Sequence, residues 1–394
     1  MNILFYYDNY CGKSSHGGTE VATFRIASAL KDSGPIHVYN AFLRNLPVQK
    51  EDLFAATIRF DKKKSLFISN LSDFIKKWEI DIIVNMGCFF RHNLLKTSIS
   101  NSKRDCKLIF MHHFAPGSEN RKISYSAALH LLKLYPLNLQ YWLRLFFYPL
   151  VKLPRKLRLP RAYRNVYQNS DAVVLLSSNY IDEFRKFARI DETDKFYAIP
   201  NIYDPPIVVD ITAKEKRVVM LSRLVEIQKR LSLALRIWKR IEERGDLSDW
   251  HLDIVGTGRD EKAIKRLAKS LKLKNITFHG WQNGVEFLKK SSILMMTSEY
   301  EGLSLSMIEA QTFGCVPVAF NSYSSLSDIV EDGVNGFSIS PHGDVEIFAN
   351  RLADLMLDNE TLDKMSNKSR ENASRFSSET VASRWLSLLS SLKI

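Results

Sequence analysis

Short apolar runs rich in Ile, Val, Leu and Phe alternate along this chain with segments whose apolar residues return every three or four positions. The runs read as strands buried on both faces and the periodic segments as amphipathic helices, and their alternation is the signature of an α/β protein. In the first half the pattern predicts a strand over 3–7, a glycine-bearing loop, a helix over 20–31, and strands over 37–39, 80–85, 107–112 and 172–176. IPNIYDPP, ending at Pro206, then punctuates the chain. A second series follows, with strands over 217–221, 251–255, 276–279, 293–296 and 316–319 and helices over 232–244 and 261–271, closed by terminal helices. Two Rossmann-like, doubly wound sheets are expected, each binding ligands beyond the carboxyl ends of its strands.

Length supports the division, because 394 residues exceed what one hydrophobic core accommodates. The expected domains are 1–205, carrying a basic aromatic insertion at about 120–170, then 206–375, with a final helix over 376–394 returning to the first. Four scattered cysteines form no C-x-x-C pair, which fits a reducing cytoplasm and argues against structural zinc. The start, MNILFYYDNY, lacks the marks of a signal peptide, and no apolar run approaches the roughly 18 residues of a membrane span. A cytoplasmic location is therefore expected.

Charge changes this picture in one place. The formal net charge is +13, and the stretch from Asn120 to Ser170 holds ten Lys or Arg and no Asp or Glu, leaving the rest near neutral. LLKLYPLNLQYWLRLFFYPLVKLPRKLRLPRAY interleaves those cations with aromatic residues, the composition of a segment that seats aromatics in an interface while its bases meet anionic headgroups. Trp142, Arg155, Lys156, Arg158 and Arg161 are the candidates for membrane and acceptor contact, placing the protein peripherally on the inner face of the cell membrane. Aromatic core with a solvated basic face, or a nucleic-acid surface, would also account for the composition.

The most specific chemistry lies in EYEGLSLSMIEAQTFGCVPV, where Glu301 and Glu309 are separated by seven residues. Were the segment helical from about Ser304, the two carboxylates would stand about 12 Å apart, beyond the roughly 5 to 9.5 Å of a glycosidase pair. The spacing suits two ends of one long polar ligand. The segment resembles the E-x7-E motif of retaining family 4 glycosyltransferases, with the following EA, Gly314, Pro317 and Val318, and a downstream D-G-x-N-G at Asp332, Gly333, Asn335 and Gly336. It departs from the commonest form by having Ser304 where glycine is usual.

The resemblance implies a GT-B fold, two Rossmann-like domains facing across a cleft that closes on its substrates, and assigns roles. Glu301 would meet donor-sugar hydroxyls, Glu309 the ribose, and the amides of Ser304 and Leu305 a phosphate at a helix start. Arg223 and Lys229, in LSRLVEIQKR, suit a pyrophosphate, although five residues separate them where relatives have four, so that Arg230 competes with Lys229 for the role. In VGTGRDE, Gly256 and Gly258 read as turn geometry. His279, Gly280 and Trp281 match the strand end that edges the base, with a structural histidine as the alternative reading of His279. Gly17 and Gly18 match the first loop, and His112 the histidine that faces the donor sugar, whereas a core role is the plainer reading of His113.

The expected function is a retaining hexosyltransferase of surface polysaccharide biosynthesis that uses a UDP-sugar and a glycan or lipid-linked acceptor, with no cofactor, no metal and no nucleic-acid partner. Glu301 and His112 are the expected catalytic residues. A nucleotide-sugar epimerase of the same architecture, a basic nucleic-acid-binding protein and an inactive interaction protein are the rivals.

Overall fold

The structure is a computed structural model describing residues 1–13, 17–44, 52–121, 125–204 and 214–392. Its contacts divide the chain into two compact units, Met1–Gly117 with Pro154–Asp204 and Phe376–Ile394, and Ser118–Leu153 with Pro205–Arg375. The basic insertion, expected at about 120–170 within the first domain, is divided: Ser118–Leu153 groups with the second unit, and the remainder from Pro154, with Arg155, Lys156, Arg158, Arg161 and Arg164, with the first. Its helices Tyr125–Leu134 and Leu139–Phe146 form a hairpin whose Ala127 and Leu131 pack on Ile227.

The first unit holds a parallel seven-stranded sheet in the order β3-β2-β1-β4-β5-β6-β7. Its strands are β1 Asn2–Tyr6, β2 His37–Phe42, β3 Ala56–Arg59, β4 Ile82–Asn85, β5 Lys107–His112, β6 Ala172–Leu175 and β7 Phe196–Ala198. The central strands are sequestered on both faces, which is why they read as continuous apolar runs. Helix Ser378–Ser391 belongs to this unit: Tyr203 N–H donates to Phe376 O (2.8 Å), and Asp204 caps the helix start at Ser378 N (2.8 Å).

The second unit holds a parallel six-stranded sheet in the order β10-β9-β8-β11-β12-β13. These are β8 Glu215–Leu221, β9 His251–Val255, β10 Ile276–Gly280, β11 Ser291–Met296, β12 Val316–Phe320 and β13 Phe337–Ile339. One core of aliphatic residues from Val218 to Met365, with Trp238 and Trp250 inside it, fills this unit. In both sheets the strand order reverses beside the first strand of the unit, between β1 and β4 and between β8 and β11. Loops leaving two neighbouring strands diverge there, and the crevice they leave is the usual ligand position.

Candidate functional site

At the reversal point of the second sheet, β8 runs into the loop carrying Arg223 and β11 into the loop carrying Glu301. Topology therefore brings together residues far apart in sequence. Lys229 Nζ donates to Glu301 Oε1 at 2.7 Å across 72 positions, and both side chains are nearly buried, 12% and 11% exposed. Gln228 lies between the basic and acidic loops: its Oε1 accepts from Arg223 (3.4 Å) and its Nε2 donates to Glu301 Oε2 (3.5 Å).

The extra residue between Arg223 and Lys229 is absorbed by the local backbone. Glu226–Lys229 forms one helical turn, and Arg230 follows at φ 50°, ψ 43° in the left-handed region, so that consecutive cations point to different carboxylates. Arg230 pairs with Glu299 (2.7 Å) and Lys229 with Glu301 (2.7 Å). Glu299 gathers further groups: Arg121 donates to its carbonyl and to that of Ser322, both at 3.2 Å, and His342 Nδ1 stands 3.8 Å from its carboxylate. Burial pulls the His342 pKa below its ordinary value, opposed by the Glu299 charge.

The glycines of VGTGRDE are demanded by close backbone approach. Gly256 has φ +136°, and a Cβ on it would lie 2.0 Å from Ser222 O; one on Gly258 would lie 2.4 Å from Leu224 O. Leu224 N–H donates to Thr257 O, and Asp260 N–H to Leu224 O, which staples this turn beneath the Arg223 loop. Buried Asp260 then caps the Glu226–Lys229 turn from outside, accepting from Glu226 N–H at 2.8 Å.

After Glu301 the chain enters helix Leu305–Thr312 with Ser304 as N-cap. The Ser304 hydroxyl makes no bond to its own helix's amides; it lies against Met296 Sδ (3.6 Å) and Ser306 Oγ (3.2 Å). The positive end of the helix dipole is thus not neutralised by its cap. Glu309 is half-buried on this helix. On the edge strand β10, His279 Nε2 is 2.7 Å from Asp253 Oδ1 and its ring meets Phe287, so its side chain is held in place by the protein itself. Gly280 has φ +68° and its carbonyl accepts from Gly256 N–H, while the Trp281 ring is exposed.

In the first unit, Gly17 is the N-cap of helix Gly18–Asp32, and a Cβ on Gly18 would meet nothing within 4 Å. Ser14, Ser15 and His16 of the same loop lie outside the described residues. His112 ends β5 almost fully buried, with Nε2 3.3 Å from the Tyr163 hydroxyl and its ring boxed by Phe89, Phe110 and Phe184. Burial drives the neighbouring His113 pKa down to about 3, helped by His112 beside it.

Of the basic-stretch candidates, Trp142, Arg158 and Arg161 are exposed, and the side chains of Arg155 and Lys156 lie outside the described residues. Leu139, Leu143, Phe146, Phe147 and Leu150 are exposed with Trp142. Two of the cations serve the fold instead: Arg121 as above, and Arg164, which donates to Ala188 O and Arg189 O. Among the described residues no helix is long and apolar enough to cross a membrane.

Sequence reasoning missed Gln228, Glu299, Asp260 and Tyr135, whose hydroxyl donates to Asp260 at 2.7 Å. Glu299 was within reach, two positions before Glu301 in the same EYE run. Nothing local marks Tyr135.

The profile of the family "Glycosyl transferases group 1" matches residues 208–372, the segment that holds this site. The poly(glycerol-phosphate) alpha-glucosyltransferase of Bacillus subtilis (strain 168) is 26% identical over 238 residues, 58% of this chain and 34% of that protein. An uncharacterized glycosyltransferase of Haemophilus influenzae is 35% identical over 158 residues, 39% of this chain and 44% of that protein. The chain thus spans less than half the length of these two relatives. In fold, it superposes on Anabaena Alr3699/HepE, solved in complex with UDP and glucose, with a TM-score of 0.74 and 16% identity over 99% of this chain and 100% of that one. The two parallel sheets are those of the GT-B fold, and the segment 208–372 matches the glycosyl transferases group 1 family.

Proposed function

We propose that this chain transfers a hexosyl unit from a UDP-sugar to a hydroxyl of a glycan or lipid-linked acceptor in surface polysaccharide biosynthesis, retaining the anomeric configuration. The observation that carries the reading is the contact of Lys229 with Glu301 at the reversal point of the second sheet, beside a helix start whose cap leaves its amides aside. A cation, a carboxylate and a helix N-terminus on one crevice match the parts of a nucleotide sugar: phosphates at the cation and amides, sugar hydroxyls at the carboxylate. The named activity of the Bacillus relative and the UDP and glucose bound to the Anabaena protein support the same class of donor.

In this mechanism charge stabilisation does most of the work. Arg223, Lys229 and the amides of Ser304 and Leu305 receive the negative charge that builds on the departing diphosphate, with no metal required. Glu301 orients the sugar, Glu309 the ribose, and His279 to Trp281 edge the base. Gly17, Gly18 and His112 are the first unit's candidates for substrate contact. The diphosphate, departing from the face that the acceptor approaches, takes up the acceptor proton. An alpha product from an alpha-linked donor is the expected outcome, and the Bacillus relative is named for an alpha-glucosyl product. The exposed aromatic face around Trp142 would hold the enzyme peripherally on an anionic inner membrane face where a lipid-linked acceptor resides, and Arg155, Lys156, Arg158 and Arg161 remain the sequence's basic candidates for the same lipid.

A panel of nucleotide sugars, scored for binding and for slow hydrolysis in a chelating buffer, tests the reading. The expected result is selective turnover of one UDP-sugar with an alpha anomer released, as read by NMR. Turnover to an epimer without loss of UDP would replace it with the epimerase reading, and activity appearing only with a divalent metal would remove the metal-independent mechanism.

A further inference from the structure

The hairpin of helices Tyr125–Leu134 and Leu139–Phe146 has two different faces. Its inner face packs Ala127 and Leu131 on Ile227, with Tyr135, Tyr141 and Val225 alongside, so it rests directly on the turn that presents Lys229. Its outer face exposes Leu137, Leu139, Trp142, Leu143 and Phe146, apolar surface on a segment with no acidic residue. A surface of this chemistry fits an anionic bilayer.

The two faces are joined through one buried carboxylate. Tyr135, at the end of the first hairpin helix, donates its hydroxyl to Asp260 Oδ1 at 2.7 Å, and Asp260 Oδ2 accepts from Glu226 N–H at 2.8 Å. Asp260 is 2% exposed, and Arg259 approaches it through Oδ2 at a long 3.5 Å, so loss of the Tyr135 donor leaves Oδ1 poorly satisfied beside the N-terminus of the Glu226–Lys229 turn. That turn has no cap of its own, since Val225 occupies the cap position without a side-chain bond. Its far end carries Lys229 to Glu301 and Arg230 to Glu299. Displacing Tyr135 would remove one of the two short bonds that fix the Asp260 carboxylate, loosening the cap at one end of a single helical turn and the ammonium at the other.

We propose that Tyr135 is a positioning residue for the donor phosphates, and that through it the hairpin couples contact with an anionic lipid surface to donor binding. The proposal rests on the donor-site reading above. Lipid contact orders the hairpin, the Tyr135–Asp260 bond holds the Glu226–Lys229 turn, and Lys229 meets the diphosphate in place. Nucleoside recognition, which lies at the His279–Trp281 edge, is not coupled to the hairpin.

The test is calorimetric titration of the full chain with UDP and with uridine, with and without vesicles of phosphatidylcholine and phosphatidylglycerol. Tyr135→Phe should bind UDP about tenfold more weakly, as expected for a lost hydrogen bond to a buried charge, while uridine affinity is unchanged. Vesicles should tighten UDP binding to the wild-type protein and not to Tyr135→Phe, although both sediment with them. A Trp142→Ser, Phe146→Ser variant should keep its UDP affinity in solution and lose the vesicle effect. Equal loss of UDP and uridine in Tyr135→Phe would make the residue merely structural and overturn the proposal, as would a vesicle effect undiminished in that variant, or none in the wild-type protein. A wild-type protein that binds no UDP at all would instead sink the transferase reading itself.

Discussion

The strand-order reversals of the two sheets solve opposite electrostatic problems with the same topology. In the second sheet, charged side chains are drawn inward and matched, Lys229 with Glu301 and Arg230 with Glu299. In the first unit, His92 and His113 are buried near strand ends and carry no charge at neutral pH. His92 sits between Asn85 and Ser170 with its pKa lowered to about 4, and His113 is lowered to about 3, burial being the leading cause in both. Histidines of the second unit are half-buried beside carboxylates instead, His251 near Asp253 and His342 near Glu299, and those charges oppose the downward pull of burial. The difference teaches that a shared α/β plan leaves the local charge to the loops: one unit gathers paired charges at its strand ends, the other packs uncharged histidines among aromatic rings.

The sharpest way to break that comparison is to unbalance the charged side. Lys229→Ala leaves Glu301 buried without its cation and should cost the second unit about 3 to 5 kcal/mol of stability. A double variant, Lys229→Met with Glu301→Gln, should recover much of that loss while remaining unable to bind UDP tightly. Hydrogen exchange on peptides from β11 and helix Leu305–Thr312, together with UDP titration, reads both effects. If Lys229→Ala leaves exchange in this unit unchanged, the pair is not the matched, buried contact that its distance and burial imply.

The neutral side breaks with acid. Both buried histidines have folded-state pKa values below the ordinary 6.5, so the unfolded chain takes up protons first as the pH falls. Stability is complete above about pH 6.5 and declines below it. The decline ends near pH 4 for His92 and near pH 3 for His113, at about 1.4 kcal/mol per pH unit for each histidine. Exchange protection of β5 should therefore fall between pH 6 and 4 ahead of protection in β11, and His92→Gln should halve the slope. A decline equal in the two units would erase the proposed contrast.

How much of this was legible in the sequence follows the same division. Central strands were readable because burial on both faces demands continuous apolar runs, as in ILFY and LIFM. The edge strands β3, β7 and β13 were not, since Ala56–Arg59 alternates between half-buried and exposed and the other two span three residues each. At the site, Glu301, Glu309, Arg223 and Lys229 were visible as a spaced pattern. Which cation meets which carboxylate was not, because it depends on the left-handed Arg230 that no propensity requires. The grouping of the hairpin with the second unit was hidden too, for it rests on a tertiary contact between Leu131 and Ile227 across nearly a hundred intervening positions.

Glycines give the finest contrast between the units. Gly256 cannot take a side chain without moving Ser222, because its φ of +136° and the 2.0 Å approach both exclude a Cβ. Gly256→Ala should therefore destabilise the second unit by about 2 kcal/mol, an overpacking penalty in a site closed by backbone. Gly18 is the reverse case. Its added Cβ would meet open space at the start of a helix, so Gly18→Ala should stabilise the first unit by about 0.4 to 1 kcal/mol through the unfolded chain. If the space at Gly18 is kept for a phosphate or sugar, that same variant should lose turnover as it gains stability, whereas Gly256→Ala should lose both together. Urea midpoints measured beside donor hydrolysis separate the two. A Gly18→Ala enzyme that is both more stable and fully active would show that the first loop is a plain turn and that the donor is held by the second unit alone.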